Sequence, residues 1–184
     1  MIYNQQSIEE MINTQRLKLS VWDKISHYWI VILMLFGTGI FWFQSTKIYL
    51  NKGESFFLGR SFNIGLIFLA TAILFSLLQY RRLKFIEKII CCTEKQFKQA
   101  LFDTAKELSW IILTNSRNYC FAFHATRTYL NWGESITVIK TEKGILINSI
   151  CDPTKTALFS FGWNRRNRNT FINCLELVIR DKQT

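Results

Sequence analysis

The chain has 184 residues, 23 lysines and arginines against 13 aspartates and glutamates, five cysteines and a single proline. That length admits one modest globular domain and something more. The net charge of +10 calls for anionic surroundings, and with one proline and eight glycines no stretch reads as a flexible linker.

Residues 1–26 are a polar lead-in. Their one periodic element, "SIEEMINTQRLKLSVW", predicts a short amphipathic helix lying on a membrane surface through Ile8, Met11, Ile12, Leu17 and Leu19. From His27 to Gln44 the chain reads "HYWIVILMLFGTGIFWFQ", and from Phe62 to Tyr80 "FNIGLIFLATAILFSLLQY". Both are almost free of charge over the roughly 20 residues that cross a bilayer, so residues 27–80 are expected to form a two-helix transmembrane hairpin. The first span starts too deep in the chain, and lacks the small-residue site, for a cleaved signal peptide.

Arg16, Lys18 and Lys24 precede the first span, and Arg81, Arg82, Lys84, Lys88 and Lys95 follow the second. The intervening loop "STKIYLNKGESFFLGRS" carries Lys47, Lys52 and Arg60. The bias toward positive charge inside predicts a multi-pass inner-membrane protein with both termini cytoplasmic. Cys91, Cys92, Cys120, Cys151 and Cys174 then face a reducing compartment, and no disulfide is expected. Neither span holds a charge, which argues against a pore or transporter made by one copy. Ala72 and Ser76, four residues apart, leave self-association open.

Residues 81–184 are expected to form a cytoplasmic domain, joined through "RRLKFIEKIICC" as a continuation of the second span. "TEKQFKQALFDTAKELSW" predicts a helix: Thr93 and Gln96 have capping-box spacing, and Phe97, Ala100, Leu101, Ala105 and Leu108 share one face. "WIILT" and "YCFAFHAT", separated by "NSRN", read as a strand hairpin. "SITVIKTEKGILINSI" reads as another, with Gly144 at its turn. Pro153 breaks the pattern, "ALFSFGW" offers a short further strand, and a last helix is expected from Asn167 to Arg180. The fold class is α+β with a membrane hairpin: two transmembrane helices, then about four antiparallel strands with two flanking helices on one face.

Chemistry is sparse. His124 shares a strand face with Cys120 and Ala122, but four residues of strand put Cys120 about 13 Å away, so a Cys/His dyad would need Cys151 or Cys174 across the fold. Glu134 and Asp152 stand at strand ends, where acidic side chains usually satisfy backbone donors. Zinc spacings, phosphate-binding loops and the serine-hydrolase elbow are missing, so neither a metal nor a cofactor is expected. The remaining candidate is the arginine and asparagine segment: Gly162, Asn164, Arg165, Arg166, Asn167 and Arg168, a surface for an anion or an acidic partner just ahead of the last helix.

Trp132-Gly133-Glu134, Ile136 to Ile139, Ile145 to Ser149, Cys151 to Pro153, and Gly162, Asn164 and Asn167 form a W-G-E, I-T-V-I, I-L-I-N-S, C-D-P and G-x-N-x-x-N series. It resembles the C-terminal part of a family of small two-span membrane proteins of Bacteroidota-type bacteria. The resemblance implies a membrane anchor and carries no function with it.

Residues 81–184 hold 17 Lys and Arg against 9 Asp and Glu, an attraction toward an anionic leaflet. Nucleic acid reads the same charge, but no nucleic-acid motif accompanies it. The expectation is a non-enzymatic module that binds a partner protein or anionic lipid, in the manner of an immunity-type or accessory membrane protein. The alternative is a ligand-gated membrane effector or sensor that takes an anionic small molecule such as a nucleotide and oligomerises.

Overall fold

A computed structural model describes residues 3–53, 59–125, 133–152 and 162–181. Its elements in chain order are α1 (Gln5–Thr14), α2 (Val21–His27), α3 (Trp29–Lys52), α4 (Arg60–Arg82), β1 (Ile86–Lys88), α5 (Glu94–Leu108), β2 (Trp110–Asn115), β3 (Tyr119–His124), β4 (Glu134–Lys140), β5 (Ile145–Cys151) and α6 (Trp163–Arg180). They fall into two units, one of Val21–Arg82 and one that joins Met1–Ser20 to Leu83–Thr184.

Among the described residues two helices are long and apolar enough to cross a membrane, and the first unit holds both. Their bounds differ from what hydropathy alone suggests: α3 starts two residues later, at Trp29, and runs on through the polar "QSTKIYLNK" to Lys52, while α4 extends two residues beyond the expected span at each end, from Arg60 to Arg82. Residues 54–58 of the expected outer loop lie outside the described ones. The helices pack as a hairpin whose buried side chains recur every seven residues, Val31, Thr38 and Ser45 on α3 and Gly65, Ala72 and Gln79 on α4. This spacing is that of a left-handed helix pair, and the small residues let the backbones approach. Ala72 is thus used inside the chain. Thr38 returns its hydroxyl to the carbonyl of Met34, 3.0 Å away, so its polarity is satisfied within α3.

The second unit is built on a five-stranded antiparallel sheet in the order β1-β5-β4-β3-β2. The two predicted hairpins are there, and so is the helix ahead of them. Thr93 caps α5, its side chain accepting from the Gln96 amide while Gln96 reaches back to the Thr93 amide. Strand alternation divides the side chains. On one face Cys120, Ala122, Ile136, Val138, Ile145 and Ile147 meet Phe97, Ala100, Leu101 and Leu108 of α5 and Phe171, Cys174 and Leu175 of α6. Both helices therefore lie on one face, as expected.

Two expectations are corrected. The segment "RRLKFIEKIICC" does not prolong the second span: α4 stops at Arg82, and Ile86, Glu87 and Lys88 pair with Ile147, Leu146 and Ile145 as a fifth strand. The expected lead-in of residues 1–26 is divided as well: its part from residue 21 on begins α2, and its part up to Ser20 belongs to the α+β unit. Met11, Leu17 and Leu19 are buried against Leu83, Phe85, Tyr119, Phe121, Ile139, Leu146 and Ile150, on the sheet face that α5 and α6 leave open. The lead-in is stitched in by backbone bonds, the Leu17 amide donating to the Leu83 carbonyl (2.8 Å) and the Phe85 amide to the Gln15 carbonyl (2.9 Å). Burying a side chain such as Met11 is worth about 2 kcal/mol, and an apolar sheet face offers that as readily as lipid does. The hairpin of α3 and α4 is thus an insertion within the α+β unit, entering after Ser20 and returning at Leu83.

The strand expected in "ALFSFGW" and the turn at Pro153 fall outside the described residues, except that Gly162 and Trp163 begin α6. That helix starts four residues earlier than expected. The arginine and asparagine segment consequently forms its first two turns.

Candidate functional site

At one end of the sheet the registers bring three reactive side chains into a row. His124 on β3 pairs with Glu134 on β4, and Glu134 pairs with Cys151 on β5. All three belong to the face that carries α6. His124 Nδ1 lies 3.0 Å from Glu134 Oε2, and both side chains are buried. Glu134, expected to serve backbone donors, meets the His124 imidazole.

The start of α6 closes over this row. The Trp163 ring sits 4.7 Å, centroid to centroid, from the His124 ring, and the Arg166 guanidinium stands 4.8 Å from the Trp163 centroid. Arg166 thereby caps an aromatic pair through cation–π attraction. One turn on, Asn167 is wholly buried. Its Oδ1 accepts from the Trp110 indole (3.0 Å), its Nδ2 donates to Ser149 Oγ (3.1 Å), and Ser149 Oγ donates to Asn164 Oδ1 (3.2 Å). A buried amide needs such partners, because an unmet donor or acceptor costs about 1–3 kcal/mol.

The six candidate residues of the segment therefore divide. Asn164 and Asn167 turn into the fold. Gly162 is the α6 N-cap at φ +86°, in the left-handed region that a glycine enters without strain, and it supplies no capping side chain. Arg165 and Arg166 are exposed. Arg168 is half-buried, its Nε shielded and without a partner, and burial, with Arg165 second, presses its pKa below the usual guanidinium value.

An imidazole held by a carboxylate is the orienting half of a general base. The nucleophile that such a base would serve is not set beside it among the described residues. Cys151 is two strands from His124, about 10 Å at the usual strand spacing, with Glu134 between them. The Cys174 sulfur lies 3.8 Å from Glu107 Oε2, and burial raises its pKa. No three His, Cys, Asp or Glu side chains among the described residues converge to hold a metal ion.

The sequence reading passed over Trp110, Ser149 and Trp163, and it missed the pairing of Glu134 with His124. Alternation could have put Ser149 and Cys151 on the face of His124. The register of β3 against β4 was beyond reach, since the connection from 125 to 133 is too long to dictate it. Comparison with protein-family models, curated proteins and solved structures finds no match.

Proposed function

We propose that this is an integral inner-membrane protein, both termini cytoplasmic, whose basic α+β module binds a partner protein or anionic lipid and does not turn over a substrate. One observation carries the reading: the asparagines at the start of α6 are hydrogen-bonded into the fold, Asn167 with Trp110 and Ser149 and Asn164 with Ser149, while Arg165 and Arg166 stay exposed. A hydrogen-bonded network of this kind rigidifies a surface, and exposed guanidiniums recognise carboxylates and phosphates. The orientation is supported by the lysines and arginines flanking the spans. It also suits a hairpin whose two flanks enter one folded unit. An immunity-type or accessory role is one concrete form of this reading.

The test uses the intact chain in its membrane with a photoreactive residue in place of Arg165. An adduct with a protein or a phospholipid is expected, and it is expected to vanish on Arg166→Glu with Arg168→Glu. Substrate turnover by the purified chain, lost on Glu134→Gln, would overturn the reading.

A second reading has its own observation. The first turn of α6 has neither a capping side chain nor an acidic residue, so its amides and neighbouring arginines suit an anionic small molecule such as a nucleotide. The protein would then be a ligand-gated membrane effector or sensor. A thermal-shift series with nucleotides decides: stabilisation lost on Arg165→Ala with Arg166→Ala favours this reading, and a flat series discards it.

A further inference from the structure

The short helix α2 is amphipathic in the wrong sense for water. Asp23 is 8 % exposed, whereas Val21 and Trp22 are 72 % and 79 % exposed and Ile25 is 40 % exposed. His27, at its end, has Nε2 3.2 Å from the carbonyl oxygen of Gln79 on α4. His27 is thus turned toward α4 and Asp23 is buried, while Val21, Trp22 and Ile25 face outward beside the exposed Lys24. In water such a face would forgo about 25 cal/mol for every Å² of apolar surface left uncovered.

Exposed apolar side chains continue along the chain. The helix breaks at Tyr28, at φ −98° and ψ 10°, and the next exposed apolar side chains are Trp29, Ile32, Leu33, Leu35 and Phe36 on α3. Since α3 is long and apolar enough to span a membrane, the continuity selects lipid as the occupant. Tryptophan beside an exposed lysine, here Trp22 and Lys24, is the chemistry of the boundary between headgroups and acyl chains.

We propose that α2 lies in the plane of the membrane, with Val21, Trp22 and Ile25 seated in the headgroup–acyl boundary of the leaflet that α3 enters, and so sets the depth of the hairpin. The proposal rests on the membrane reading of α3 and α4. The in-plane element expected in residues 7–22 is thereby moved to Val21–His27.

Spin labels test it on the full chain in phosphatidylethanolamine and phosphatidylglycerol vesicles. The background carries Cys91→Ser and Cys92→Ser, which remove the two cysteines that are not buried. Labels are placed singly by V21C, W22C and I40C. The expected result is that the labels at 21 and 22 relax faster with oxygen than with a water-soluble nickel chelate, at a shallower depth than the label at 40. A water-like response at 21 and 22 with a deep label at 40 overturns the in-plane helix and leaves the hairpin standing. A water-like label at 40 overturns the membrane reading and the in-plane helix together. Labels at 21 and 22 shielded from both reagents indicate a protein occupant and also overturn the proposal. Two neighbouring exposed positions keep the answer independent of one poorly tolerated label.

Discussion

Glu134 on β4 shares a sheet face with His124. It is wholly buried, and its Oε2 meets His124 Nδ1 at 3.0 Å. Removing one member of a buried pair strands the other, whereas replacing both with apolar groups of similar size is often close to neutral. Glu134→Leu takes the carboxylate from His124 Nδ1 and is therefore expected to destabilise the fold by about 1–3 kcal/mol. His124→Phe combined with Glu134→Leu should recover most of that loss. Thermal unfolding of the intact chain in detergent, read by near-ultraviolet circular dichroism, checks both. A double variant no more stable than the worse single would show that the pair contributes net stability.

Cys120 makes a second point at this scale. Burial pushes its thiol from an ordinary 9.0 up to about 12. A raised acid pKa means that the fold favours the neutral form. Its contribution is present in full below about pH 9 and is lost as the pH climbs toward about 12. Burial raises the Tyr119 phenol as well, so the two act in the same direction. At pH 8 a maleimide should modify the exposed Cys91 and leave Cys120 untouched, as mass spectrometry of digests would show. Cys120 should become reactive only where alkali unfolds the chain.

Among the elements, the α3 and α4 hairpin depends on small side chains along its seam. Ala72 is nearly inaccessible, and at Gly65 a Cβ would stand 2.5 Å from the Trp42 ring. Ala72→Leu inserts bulk between two close backbones, at a cost of about 1–3 kcal/mol. A lower melting temperature is expected, whereas Leu74→Ala on the exposed face of α4 should leave it nearly unchanged. Equal effects from the two would place the seam elsewhere. Gly144 plays a similar part at the β4–β5 turn, where a Cβ would run into the carbonyl oxygen of Lys88 on β1. The tight turn and the extra edge strand thus depend on the same glycine. The capping box at Thr93 and the turn at Gly144 were legible in the sequence because each is settled within a few residues. β1 was not legible: three residues with an exposed isoleucine become a strand only because β5 presents a free edge.

In the whole molecule, the insertion of the hairpin into the α+β unit makes a firm prediction. Ser20 and Leu83 flank a stitched pair of segments, with Leu17 bonded to Leu83 and Gln15 to Phe85. Replacing residues 21–82 by a short Gly/Ser linker should therefore yield a soluble, monodisperse unit with a cooperative melt, since a short loop closes at little entropic cost. A fragment of residues 93–184 lacks α1 and β1 and would bare Tyr119, Phe121, Ile139, Leu146 and Ile150, so it is expected to aggregate. Size-exclusion chromatography of the two separates these outcomes.

The sequence by itself determined the two apolar spans, the α5 cap, both hairpins and the shared face of α5 and α6. Each of these is written in periodicity, charge or turn chemistry over short distances. The tertiary structure alone decided that Met11, Leu17 and Leu19 cover a sheet face, that β1 exists, and that His124, Glu134, Ser149, Trp163 and Asn167 meet under the start of α6. Apolar residues at helical spacing fit lipid and protein equally well, and pairing across strands depends on a register that no local signal encodes.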